Sequence, residues 1–146
     1  MEQAARGSQA VRPRIAVIDD DLRLAELVKL VLEELDESYD VQFDPRLLSA
    51  YDFIKQVRPD LIILDMMMGV DPVGFETLDK LSGSAEMSQI PVVISSAGLF
   101  VAEQYERFIS PISLLPKPFH LSQLVATVRS ALSAKAGTSH SPRLNP

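Results

Sequence analysis

DLIILD, Asp60 through Asp65, is the stretch that decides the fold: four apolar residues in a row between two carboxylates. A run with no polar face is a strand covered on both sides, which is the mark of a parallel sheet. Similar short runs recur as RIAVI at 14–18, PVVIS at 91–95 and ISLLP at 112–116, while YDVQF at 39–43 alternates like a half-buried strand. Between them the apolar residues fall at helical spacing. Leu22, Leu24, Ala25, Leu27, Val28, Val31, Leu32 and Leu35 form one such stripe. Residues 47–57, 75–81, 99–108 and 121–132 give four more helices. The order is five βα units, so the expected fold is α/β: a doubly wound, five-stranded parallel sheet with helices on both faces.

At 146 residues the chain is sized for one domain, and 47% hydrophobic content suffices for a core without staples. Residues 1–13 and 135–146 read as flexible tails around a domain at 14–134. The absence of Cys excludes disulfide scaffolds, Cys-ligated metals and thiol nucleophiles, and two His, His120 and His140, exclude a multi-His centre. His120 reads as a capping or surface residue at the entry to the last helix. The net charge is −6; the first 13 residues carry +1 and the last 12 carry +2, leaving −9 on residues 14–134. Such a domain repels phosphate backbones, so no nucleic-acid partner is expected. No signal-peptide core and no membrane-length apolar window occur, so the expectation is a soluble cytoplasmic chain with no membrane partner.

In open α/β sheets, ligands sit outside the carboxyl ends of the strands. There the first strand ends in Asp19-Asp20-Asp21, the third in Asp65, the fourth in Ser95-Ser96 and the fifth in Lys117. Singly these have plainer roles: Asp20 or Asp21 caps the first helix, Asp65 makes a turn, Ser96 is a loop hydroxyl and Lys117 a surface charge. Jointly they converge on one sheet edge. Crowded carboxylates need a cation, and oxygen-only ligands suit a hard one such as Mg²⁺, which leaves room for a phosphate oxygen. Lys supplies charge to a phosphoryl group, Ser a hydrogen bond, and an Asp carboxylate is itself a nucleophile in phosphoryl transfer.

IAVIDDD, DLIILDMMM, PVVISSA and LLPKPF, in that order, resemble the response-regulator receiver domain of two-component signalling, over residues 14–134. The resemblance implies the CheY-like strand order 2-1-3-4-5. It makes Asp65 the phosphorylated residue, with Mg²⁺ (or Mn²⁺) held by Asp19, Asp20, Asp65 and the backbone carbonyl of Met67. Lys117 and Ser96 then stabilise the phosphoryl group, with a cis bond from Lys117 to Pro118. The switch positions fall on Ser96 and Leu114. The implied partners are a sensor histidine kinase or phosphotransfer protein and a downstream protein. A homodimer through the face made by the helix at 99–108, the fifth strand and the last helix is also implied. The chain is then a single-domain regulator acting by protein–protein contact, and not an enzyme, since no external substrate is turned over.

Several positions depart from the family pattern. The loop after the phosphorylated residue reads GVDPVGF, with Gly69 where the family has Pro and Gly74 one residue late. Leu114 replaces the switch aromatic. Met67 and Gly98 hold the two positions that set phosphate lifetime, and neither can orient a water, which implies a long-lived phosphoryl group. An Asp-nucleophile phosphatase would need a second Asp at Met67. A nucleotide binder would need a phosphate cradle where Asp19-Asp20-Asp21 stands. The remaining alternative is a phosphorylation-independent interaction module on the same fold.

Overall fold

The computed structural model describes residues 12–35, 38–45, 49–66, 73–97, 105, 107–108 and 110–140. Its strands are β1 (Arg14–Ile18), β2 (Asp40–Phe43), β3 (Leu61–Leu64), β4 (Val92–Ile94) and β5 (Ile112–Leu114). They form one parallel sheet in the order β2-β1-β3-β4-β5. The helices are α1 (Leu22–Leu30), α2 (Ala50–Val57), α3 (Val73–Ser82) and α4 (Leu121–His140). Of the helix expected at 99–108, only Tyr105, Arg107 and Phe108 lie within the described residues.

Alternating side chains send β1 and β3 into two cores. Ile15, Val17, Leu61 and Ile63 meet Val28 and Leu32 after β1, and Leu124 and Val128 of α4. On the other face Ile62, Leu64, Val92 and Ile94 meet Ile54 of α2, Leu78 and Leu81 of α3, and Tyr105 and Phe108. Every residue of β3 and β4 is buried, as a two-sided apolar run requires. β5 differs: Ile112 and Ser113 are half-buried and Leu114 is exposed, because β5 closes the sheet's edge.

Three boundaries depart from the periodicity. The first helical stripe is not one α-helix; a π-helical turn, Val31–Leu35, follows α1. The side chains at this junction serve the opposite sheet edge. The Glu33 carboxylate accepts the Val41 N–H at 2.8 Å and the Lys29 ammonium donates to the Val41 carbonyl at 2.8 Å. Two side chains thus satisfy the outward backbone groups of Val41 on an edge strand, which otherwise templates pairing with another chain. α2 begins at Ala50, where Ser49 caps it through the Asp52 N–H. α4 continues to His140, beyond the apolar repeat ending at 132.

Candidate functional site

The Asp65 N–H donates to the Ile18 carbonyl, the Ser95 N–H to Leu64 and the Leu115 N–H to Ile94. These bonds prolong the sheet past its last strand residues and bring Asp19, Asp65, Ser96 and Lys117 to one edge. The Lys117 N–H donates to the Ser96 carbonyl at 3.0 Å, and the Lys117–Pro118 peptide is cis.

Asp19 and Asp65 are each 5% exposed, unusual for carboxylates without charge partners. The Lys117 ammonium lies 2.8 Å from one Asp19 oxygen and 3.3 Å from one of Asp65. The other Asp19 oxygen accepts the Asp21 N–H at 2.9 Å. Burial pushes the Asp19 carboxyl above its usual 3.8, against the pull of Lys117 and the Asp21 N–H. Burial also works to lower the Lys117 pKa, but the hydrogen bond and charge of Asp19, and then those of Asp65, outweigh it and hold the ammonium above 10.5. Lys117 is therefore a cation throughout the neutral range.

Asp20 is exposed and completes a triad: one carboxylate oxygen from each of Asp19, Asp20 and Asp65 lies within 4.8 Å of the others. Three carboxylates face one ammonium, leaving an excess of negative charge that a hard cation relieves. The donors are all oxygen, and Asp20 opens the cluster to solvent, so the residues fit a partly hydrated Mg²⁺.

The capping role open between Asp20 and Asp21 falls to Asp21, whose carboxylate accepts the Leu24 N–H at 3.2 Å. Asp20 is left for the cluster. Ser96 is buried at the end of β4. Leu114, paired in register with Ile94, is 36% exposed and presents no ring. His120 caps α4: its backbone N–H donates to the Gln123 side chain and its carbonyl accepts the Gln123 and Leu124 N–H groups. Met67, Gly69 and Gly98 lie outside the described residues.

Sequence reasoning missed the part Gly74 plays. Its N–H donates to the Met66 carbonyl at 3.0 Å. A Cβ there would collide with Met66 Cα, lie 2.6 Å from the Met66 sulfur and 3.0 Å from the Asp65 carbonyl oxygen. The residue sits where the first turn of α3 presses on the backbone leaving Asp65. The signal was a glycine at a helix start, which costs helix stability unless close approach requires it.

Residues 15–129 match the family described as response regulator receiver domain. The chain belongs to this family. Receiver domains as a class bind Mg²⁺ at an acidic pocket and interact with histidine kinases or phosphotransfer proteins. The chain is 36% identical to the DNA-binding dual master transcriptional regulator RpaA of Synechocystis sp., over 82% of this chain and 49% of that protein. It is 31% identical to the DNA-binding response regulator MtrA of Mycobacterium tuberculosis, over 84% of this chain and 51% of that one. The receiver domain thus spans about half the length of the curated relatives it matches. A signal receiver domain from Vibrio parahaemolyticus superposes with a TM-score of 0.73 at 26% identity, covering 88% of this chain and 96% of that one. The chemotaxis protein CheY4 of Vibrio cholerae shares the fold, with a TM-score of 0.69 at 22% identity over 83% of this chain and 99% of its own. Among the described residues, no helix is long and apolar enough to cross a membrane.

Proposed function

We propose that this receiver domain is a phosphorylation-dependent switch that accepts a phosphoryl group on Asp65 in the presence of Mg²⁺. One observation carries the reading: the Lys117 ammonium lies across the buried carboxylates of Asp19 and Asp65 while Asp20 stands at the same cluster. A plain structural ion pair needs one carboxylate; a third at the solvent side is explained by a cation and an incoming phosphoryl group.

The donor is a phosphohistidine of a sensor kinase or phosphotransfer protein. An Asp65 oxygen attacks phosphorus, an O–P bond forms and the N–P bond breaks. The electron pair stays on the imidazole nitrogen, which then takes a proton from water. Asp19, Asp20 and Asp65 hold the divalent cation, which when bound neutralises charge on the phosphoryl oxygens. Lys117, protonated at neutral pH, pairs with the phosphoryl group in place of the Asp65 carboxylate. The Ser96 hydroxyl donates to a phosphoryl oxygen. No external substrate is turned over, and the output is a contact with a downstream protein. What the names of the relatives state about DNA belongs to proteins of which this chain covers about half; for an acidic domain the proposed partner is protein.

Intact-mass analysis after incubation with phosphoramidate tests this. One phosphoryl adduct is expected with Mg²⁺, none in EDTA and none in Asp65→Asn. Folded protein without an adduct would leave the phosphorylation-independent module, a reading that the exposed aliphatic Leu114 at the switch position favours.

A further inference from the structure

The ring that would report on the site is not on β5, where Leu114 is aliphatic and exposed. Another aromatic contact lies at the start of α3, next in sequence to the Gly74 that packs against the Asp65 carbonyl. The Phe75 and Tyr105 rings are stacked with centroids 5.9 Å apart and planes 1° from parallel, within the range of a favourable offset stack. Tyr105 in turn meets Phe108 at 6.5 Å, tilted by 37°. Tyr105 and Phe108 are each 7% exposed. Arg107 lies 4.2 Å over the Phe108 ring and 3.4 Å from the Asp79 carboxylate of α3. Tyr105, Arg107 and Phe108 are therefore fastened to α3 by a ring stack and an ion pair.

The same helix is pressed against the site at its first turn. Gly74 immediately precedes Phe75, and at Gly74 there is no room for even a methyl group beside Met66 and the Asp65 carbonyl. The backbone at 65–66 and the start of α3 are therefore in direct contact, so that a shift in one bears on the other. A phosphoryl group on Asp65 adds charge there and takes the Lys117 ammonium that now lies 3.3 Å from its carboxylate, a change at the residue whose carbonyl the first turn of α3 packs against. Met66, Tyr105 and Phe108 share one core, with Phe75 packed against it, and a close-packed core answers by switching arrangement rather than by gradual deformation.

We propose that the Phe75–Tyr105 stack transmits the phosphorylation state of Asp65 to the Tyr105–Phe108 cluster. The proposal rests on Asp65 being the phosphoryl acceptor. Phe75 and Tyr105 are positioning residues and touch no reacting atom.

The test uses 3-fluorotyrosine. The chain has three Tyr, Tyr39, Tyr51 and Tyr105, so Tyr39→Phe and Tyr51→Phe assign the ¹⁹F resonances. Spectra and intact masses are taken on the same sample with Mg²⁺, before and after phosphoramidate. The expected result is a second Tyr105 resonance whose fraction follows the adduct fraction, with Tyr39, in the opposite core, unmoved. Phe75→Leu should form the adduct yet lose the Tyr105 response, and Phe75→Tyr, which keeps a ring and adds a fourth ¹⁹F resonance of its own, should retain it. An adduct without a Tyr105 response overturns the relay, as does an equal response in Phe75→Leu. Absence of any adduct overturns the assignment of Asp65 and the relay with it. If Phe75→Leu fails to fold, Phe75→Met, which also removes the ring, is read in its place.

Discussion

Gly74→Ala is the sharpest structural perturbation available, because it adds one methyl group where the backbone itself is in the way. The new Cβ would strike Met66 Cα and approach the Asp65 carbonyl oxygen to 3.0 Å. The Met66 sulfur, at 2.6 Å, can swing aside; the two backbone atoms cannot. Overpacking costs about 1–3 kcal/mol, and with backbone as the obstacle the upper half applies, so about 2–3 kcal/mol is expected. For a domain of this size that is a fall in Tm of roughly 5–10 °C. Gly83→Ala is the control. Its Cβ would meet only the Lys80 and Asp79 carbonyls, at 3.6 and 3.7 Å, and the substitution should be neutral or stabilising by up to about 1 kcal/mol. Urea unfolding of both variants gives the free energies, and intact mass against time gives their phosphorylation rates. Gly74→Ala should also be phosphorylated more slowly, since the strained backbone is that of Asp65. A cost below about 0.5 kcal/mol with an unchanged rate would refute the close approach as a positioning device.

Three further outcomes follow from the charge cluster. Lys117→Met strips the cation from two buried carboxylates and should cost about 3 kcal/mol in EDTA, the low end for an orphaned buried charge because the pocket opens to water; urea unfolding measures it. In metal-free protein the folded state holds the Asp19 proton more tightly than the unfolded chain does, so stability falls as pH rises from 3.8 through the higher folded value. Asp19→Asn should remove that contribution, seen as a flatter plot of Tm against pH in EDTA. Mg²⁺ at ten times its Kd should stabilise the wild type by about 1.4 kcal/mol, a rise in Tm that Asp19→Asn reduces or abolishes.

The fold was legible because the strands carry a one-dimensional signal. LIIL of β3 has no polar side, and its parallel, central place follows from that alone. Asp65 and Lys117 were legible for the same reason: each is the first charge after an apolar run, and the sheet aligns such ends. Three features left no such trace. The π-helical turn keeps the three- and four-residue apolar spacing of Val28, Val31 and Leu32, so the pattern reads through it. The contacts of Lys29 and Glu33 beside it join residues twelve and eight positions from Val41. Gly74 resembles a loop residue until Met66 is seen against it. The stack of Phe75 on Tyr105 joins residues thirty apart, and apolar periodicity names the buried face of a helix without naming what it meets.

Whether Asp65 accepts the phosphoryl group is tested most directly by chemical trapping of the phosphorylated residue. Protein incubated with a phosphodonor and Mg²⁺ is reduced with borohydride, which converts an aspartyl phosphate to homoserine, then digested and sequenced by mass spectrometry. Homoserine is expected at position 65 in the Mg²⁺ sample and unmodified Asp65 in the EDTA sample. Homoserine at Asp19 or Asp20, or at position 65 to the same extent without the metal, would contradict it.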